Sequence, residues 1–172
     1  RDGISYVLNY IKPIQQYLRE MRFKPMPKYH DGILINHNHP QSPVGKMFIQ
    51  PNVQLESGEQ VLLDDVIGNN FAILAWGVDP KWGLDDHTMQ QWQNLGVKFI
   101  QVLPAIQLRN EKRQTFKGVM TVGEIGTDIR TWFGQTDQSI VVLRPDRFVA
   151  ALAIPQTLNK ISKQLFAKIH VK

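Results

Sequence analysis

The stretch Ser139 to Ile154, SIVVLRPDRFVAALAI, constrains the fold more than any other part of this 172-residue chain. Ile140 to Leu143 and Phe148 to Leu152 are continuous apolar runs of strand length, rich in β-branched residues, which suits strands covered on both faces. Between them Arg144-Pro145-Asp146-Arg147 reads as a tight turn, with Pro145 pre-setting φ at the first corner and Asp146 tolerating the second. A plain type I turn would splay the two strands. The spacing therefore predicts Arg147 in a left-handed conformation that closes the ladder with a bulge. A helix from about Pro155 to Ile169 follows directly, with Leu158, Ile161, Leu165 and Ile169 on one face.

Upstream, Val53 to Leu55 and Gln60 to Leu63 flank Glu56-Ser57-Gly58-Glu59, a hairpin signal. Asp64 or Asp65 can cap a short helical turn ending at Gly68. Phe71 to Trp76 is a buried strand, Leu84 to Leu95 an amphipathic helix stopped at Gly96, and Val97 to Leu103 a second buried strand. Ile106 to Lys117, with Arg109, Glu111, Lys112, Arg113 and Lys117, is a charged surface helix or loop. Val119 to Ile125 has strand character, and Asp128 to Phe133 is a short helix capped by Thr127 or Asp128. Strands alternating with helices, then a hairpin and a helix, imply an α/β chain with a central mixed sheet flanked by helices. The ending is that of a thioredoxin-like fold.

The chain contains no cysteine, which removes thiol catalysis, disulfides and thiolate metal sites together and leans the reading towards the cytoplasm. No apolar run reaches the length of a membrane span, and no signal-peptide order opens the chain. The net charge of +5 invites a nucleic-acid reading, but its distribution argues against one. Residues 1–28 carry six lysines and arginines against two acids, and residues 155–172 carry four lysines and no acid, which leaves residues 29–154 net acidic by three. Basicity confined to two terminal helices is a solvated face, so no nucleic-acid partner is expected.

Ile4, Val7, Leu8, Ile11, Ile14, Leu18 and Met21 recur at helical spacing, interrupted by Pro13. The stripe is expected to pack on a domain outside this chain, and an opening at Arg1 rather than Met suits a piece of a longer protein. Residues 23–52 hold half of the ten prolines and read as a Pro-rich linker or strapped-down loop with one short strand, Gly32 to Ile35. The expected division is a terminal helix over 1–22, the linker over 23–52 and the thioredoxin-like domain over 53–172. His37-Asn38-His39-Pro40 spells a metal-binding or nuclease pattern, but no third ligand lies nearby and Pro40 interrupts a strand, so the segment reads as loop.

In a thioredoxin-like fold the reactive pair follows the strand that here is Phe71 to Trp76. The corresponding residues are Gly77-Val78-Asp79-Pro80-Lys81-Trp82, a site with the geometry and without the chemistry. No Gly-x-Gly-x-x-Gly or Gly-Lys-Ser/Thr phosphate loop occurs, and capping accounts for the pairs Asp64-Asp65 and Asp85-Asp86. His87 is expected in solvent, and Trp76, Trp82, Trp92 and Trp132 in the core rather than around a ligand.

Three ordered motifs carry a family resemblance. Val141 to Ala150, VVLRPDRFVA, resembles the LVRPDxYVA ending of the FAD-dependent aromatic-ring hydroxylases of the phenol hydroxylase group. Phe23-Lys24-Pro25-Met26-Pro27-Lys28-Tyr29, followed by Asp31-Gly32, resembles the junction between their flavin domain and C-terminal domain, and Gly45 to Pro51 resembles the G-x-x-F-x-Q-P element after it. Within that group the resemblance is greatest to 3-(3-hydroxyphenyl)propionate hydroxylase-like monooxygenases. Two positions depart from the pattern: Arg147 stands where Gly is common, and Ala151 where many relatives have Trp.

The resemblance implies a parent enzyme that uses FAD and NAD(P)H to hydroxylate phenolic aromatic acids. The family's flavin motifs do not occur in this chain, so no catalytic, cofactor-binding or metal residue is carried over. Lys24, Pro25, Pro27, Arg144, Pro145 and Asp146 remain as a structural signature. The implied role is a non-catalytic C-terminal module that braces the flavin domain of the same protein and forms homodimers. The alternative is a stand-alone thioredoxin-like or peroxiredoxin-like binding domain that has lost its thiols.

Overall fold

The computed structural model describes residues 27–37, 39, 41–110 and 113–169; the helix expected over 1–22, with Lys24 and Pro25 of the signature, lies outside them. Seven strands form one mixed sheet: β1 (Asn52–Gln54), β2 (Gln60–Leu62), β3 (Ala72–Trp76), β4 (Lys98–Pro104), β5 (Met120–Glu124), β6 (Ile140–Leu143) and β7 (Val149–Ala153). The helices are α1 (Leu63–Ile67), α2 (Asp86–Asn94), α3 (Ala105–Leu108), α4 (Asp128–Gly134) and α5 (Pro155–Ile169).

The spatial order is β2-β1-β5-β4-β3-β6-β7. Strands β3, β4 and β5 run parallel, while β6, β7, β1 and β2 each join antiparallel to their neighbours. The parallel centre explains the unbroken apolar runs, because both faces of β3 are covered. Ala72 and Leu74 join Leu63 and Ile67 of α1 and Ile129 and Phe133 of α4 on one face. Ile73 and Ala75 join Trp92 of α2 and Leu158, Leu165 and Phe166 of α5 on the other. Alternation along one strand thus feeds two separate cores.

The β6–β7 hairpin closes as the turn chemistry requires. Arg147 has φ 69°, alone among the described non-glycine residues in a positive value. Its N–H donates to the Arg144 carbonyl, and the Arg144 N–H to the Phe148 carbonyl, both at 2.9 Å. The ladder shifts register between Val142 and Leu143.

Several local expectations change. Gly32 to Ile35 is not a strand: Gly32, at φ 105°, turns the chain, and its carbonyl accepts from the Leu34 N–H. Phe148 lies before β7 and makes an isolated bridge with Met47. Neither Asp64 nor Asp65 caps α1, whose N-cap is Leu62 without a side-chain bond; both aspartates sit inside the first turn. Asp64 instead accepts from Gln50 Nε2 at 2.6 Å. At α4 the expected cap from Thr127 or Asp128 is supplied by Glu124, whose carboxylate accepts from the Arg130 N–H at 2.8 Å. The charged stretch after β4 begins as one helical turn, α3, and residues 113–117 form neither helix nor strand.

The described residues between 27 and 51 run along the outer edge of β7. The N–H groups of Ile35, Gly45 and Phe48 donate to the carbonyls of Ala150, Val149 and Arg147, and Val149 donates to Lys46. The segment buries Leu34, Val44 and Phe48 in the core. An edge strand that would otherwise template pairing with another chain is covered by this strap.

Candidate functional site

A cleft of about 670 Å³ opens at the carboxyl ends of β3 and β4, the place where ligands gather in open α/β sheets. It falls on the segment Gly77 to Trp82, where the thioredoxin-like arrangement places its reactive pair. Gly77, at φ 73°, turns the chain out of β3 and donates to the Val102 carbonyl at 2.9 Å. Asp79 folds back on its own loop, accepting the Lys81 N–H at 2.8 Å. Trp82 stands at the rim, 61% exposed. Its expected place in the core is taken only by the other three indoles: Trp92 is fully buried, and Trp76 and Trp132 pack on the α4 side.

Gln101 and Leu103 of β4 also line the cleft, both almost fully buried. The opposite wall is Gln107 of α3 with Asn110, Arg113, Gln114 and Phe116 from the loop that follows it. Arg113 anchors that loop, donating to the Leu108 carbonyl at 2.7 Å and pairing with Glu56 of the β1–β2 hairpin. The Lys81 ammonium donates to the Lys117 carbonyl, tying the two walls together. Sequence reasoning missed Gln101, Gln107, Asn110, Gln114 and Phe116, because isolated amides and one Phe match no motif. Their only signal is amide density around the end of β4.

At the other end of the molecule the three motifs converge on the strap. The Tyr29 N–H donates to the Gly45 carbonyl at 2.8 Å, and the Tyr29 ring meets Phe148 edge-on at 4.6 Å. The Arg144 guanidinium lies 5.3 Å from the centre of the Tyr29 ring and donates through Nε to Asp146 at 3.0 Å. A Cβ on Gly45 would lie 2.0 Å from the Tyr29 carbonyl oxygen, so only glycine lets these segments touch. Arg144, Asp146, Tyr29, Gly45 and Phe48 therefore form one structural junction, with Pro145 at the turn and Pro27 exposed at its entry. His37 and His39 line a separate small cavity, and His39 Nδ1 accepts from the Gln41 N–H. Among the described residues no group of three or more His, Asp or Glu side chains could hold a metal ion.

The N-terminus of α2 is capped by the Asp85 carboxylate, which accepts from the Thr88 N–H at 2.7 Å, with Asp86 in the first turn, so this helix start offers a diphosphate two negative charges rather than free N–H groups.

The HcaD C-terminal domain family model matches residues 45–168. The chain belongs to that family. A 3-(3-hydroxy-phenyl)propionate/3-hydroxycinnamic acid hydroxylase of Klebsiella pneumoniae (strain 342) is 56% identical over 160 residues, 92% of this chain and 29% of the relative. The chain thus spans under a third of that relative's length. A thioredoxin-like protein from Bacteroides caccae ATCC 43185 superposes with a TM-score of 0.55 at 14% identity, covering 74% of this chain and 50% of that one. The flavin-dependent monooxygenase PieE, solved with FAD and substrate, gives a TM-score of 0.53 at 14% identity over 84% of this chain and 26% of its own. The fold of this HcaD C-terminal domain is therefore thioredoxin-like, carried on a chain without cysteine.

Proposed function

We propose that this HcaD C-terminal domain is the non-catalytic module of a flavin-dependent monooxygenase that hydroxylates phenolic aromatic acids with FAD and NAD(P)H. Residues 1–22 end the flavin domain, 23–52 form the junction, and 53–172 form the thioredoxin-like domain. The module braces the flavin domain, supports a homodimer, and acts in the cytoplasm. Among the described residues no helix is long and apolar enough to cross a membrane.

The observation that carries the reading is the junction around Tyr29, Gly45 and Arg144. All three segments that resemble the hydroxylase family meet there, at the point where the chain enters the domain. Side chains that share one structural contact are those a domain boundary needs held in register. The match to a longer hydroxylase, of which this chain covers 29%, supports the same reading.

The test uses the longer hydroxylase that contains this chain. Arg144→Ala, which removes the cation from Tyr29, is expected to lower the temperature at which FAD is released while leaving the bound-flavin spectrum unchanged. This chain alone, mixed with FAD and desalted, is expected to stay colourless. Stoichiometric flavin on the isolated chain, or FAD release unaffected by Arg144→Ala, would overturn the proposal.

A further inference from the structure

We propose that the Asp31–Gly32 linkage is a modification site, which rearranges through a succinimide to isoaspartate and so loosens the strap along β7. The inference rests on the loop around Gly32 and is independent of the hydroxylase reading.

An aspartate followed by glycine occurs twice in the chain, at Asp2-Gly3, outside the described residues, and at Asp31-Gly32. Glycine matters because it has no Cβ to shield its backbone nitrogen. Asp31 and Gly32 are both exposed, in a bend that belongs to neither helix nor strand. Among the described residues nothing hydrogen-bonds the Asp31 carboxylate or the Gly32 N–H. Gly32 has φ 105°, and a Cβ there would meet nothing within 4 Å, so the reacting groups lie in open space. Other aspartates are less free. Asp79 precedes Pro80, which has no N–H to react, and the carboxylates of Asp64, Asp85 and Asp146 are held by Gln50, Lys163 and Arg144.

The reaction needs only water. The Gly32 nitrogen attacks the side-chain carboxyl carbon of Asp31, and one carboxyl oxygen leaves as water with the amide proton and a proton from solvent. The product is a five-membered succinimide. Water then adds to one of its carbonyls. Cleavage between the nitrogen and the backbone carbonyl of Asp31 leaves the chain running through Cβ, with a free α-carboxylate that returns the proton to solvent.

Isoaspartate therefore lengthens the backbone by one C–C bond, about 1.5 Å. The strap is fixed on both sides of this point. The Tyr29 N–H donates to the Gly45 carbonyl and the Ile35 N–H to the Ala150 carbonyl, both at 2.8 Å, and Leu34 is buried in the core. The Gly32 carbonyl itself accepts from the Leu34 N–H at 2.8 Å. A longer backbone between two fixed points has to bulge outward or pull on those bonds.

The test incubates the full chain, warm and at neutral pH, beside a free peptide spanning Tyr29 to Lys46, the tryptic fragment that contains the site. Peptide mapping with electron-transfer fragmentation separates isoaspartate at Asp31 from any formed at Asp2. Isoaspartate is expected at Asp31 in the folded chain at a rate within about fivefold of the peptide, because an unprotected loop adds almost no opening cost. A transient species one water lighter should precede it. Asp31→Glu, at an exposed position, should remove both, since a six-membered imide closes far more slowly. Hydrogen exchange at Tyr29 and Ile35 should be faster in the aged chain than in the fresh one, and should not change when Asp31→Glu is aged. Conversion at Asp31 slower than that fivefold limit, or an isoaspartate-containing chain whose exchange at Tyr29 and Ile35 matches the fresh protein, would overturn the proposal.

Discussion

The guanidinium of Arg147 donates to the carbonyl oxygen of Gly68 at 2.6 Å, joining the β6–β7 turn to the end of α1 across 79 residues of sequence. The same Nη2 reaches the Asp64 carbonyl at 3.1 Å, and Nε lies 3.1 Å from the Asp64 carboxylate. Carbonyls at a helix C-terminus lack intrahelical partners and carry partial negative charge, so a cation there is favourable. An arginine in a left-handed position, where glycine would fit without strain, is explained by this cap.

Arg147 therefore has two opposing effects that substitution can separate. Arg147→Gly relieves the backbone strain of about 1 kcal/mol but loses the charge-assisted bonds, each worth about 1.5–3 kcal/mol when buried. Arg147→Ala keeps the strain and loses the bonds. Urea unfolding is expected to rank the wild type first, Arg147→Gly next and Arg147→Ala last, with a total spread of about 2–4 kcal/mol. A glycine variant more stable than the wild type would show that the cap contributes little.

The strap along β7 depends on close approach at Gly45. This residue has φ 80°, and a Cβ there would lie 2.0 Å from the Tyr29 carbonyl oxygen. Gly45→Ala combines left-handed strain with a backbone clash and is expected to cost at least about 2 kcal/mol. Hydrogen exchange should show the loss locally, with faster exchange at Ile35, Phe48 and Val149, whose N–H groups bond across the strap. Exchange accelerated equally in β3 and β4 would instead mean global destabilisation.

The central strands were legible in the sequence because burial on both faces leaves an unbroken apolar run, as in Phe71 to Trp76 and Val97 to Leu103. The turn at Arg147 was legible for a different reason: proline and aspartate at set positions leave few ways to close a hairpin. The α4 cap was not, since Glu124 lies in β5 rather than at the helix start, and only the chain reversal returns it to the Arg130 N–H. The cleft was hidden for the same reason. Trp82, Gln101 and Phe116 come from three segments that parallel pairing of β3, β4 and β5 brings together, and none belongs to a local pattern.

Across the sheet's other face, α2 and α5 are joined by one buried polar bond, from Trp92 Nε1 to Ser162 Oγ at 2.9 Å. Both residues are fully buried. Ser162→Ala would leave the indole N–H without an acceptor and is expected to cost about 1–3 kcal/mol. Trp92→Phe in the same background should cost less than it does in the wild type, because the orphaned donor is gone. A double-mutant cycle measures that coupling, and additive losses would mean that the bond contributes nothing beyond packing.

The same two helices are clamped at their exposed end by Asp85. Its carboxylate accepts from Lys163 Nζ at 2.8 Å, Asn159 Nδ2 at 2.9 Å and the Thr88 N–H at 2.7 Å. The Lys163 bond first, then those of Thr88 and Asn159, hold its pKa well below the usual aspartate range. A carboxyl whose pKa is depressed on folding binds fewer protons in the folded state than in the unfolded one. Its stabilisation is therefore complete above the ordinary aspartate value of about 3.9 and is lost as pH falls below it towards the folded value. Asp85→Asn is expected to lower the melting temperature at pH 7, with the gap from wild type constant down to about pH 5 and shrinking below about pH 4. Raising the salt concentration at pH 7 should narrow the gap only in part, because the Lys163 pair is exposed to screening while the Thr88 cap is a short-range bond. A gap that widened on acidification would contradict this assignment of the clamp.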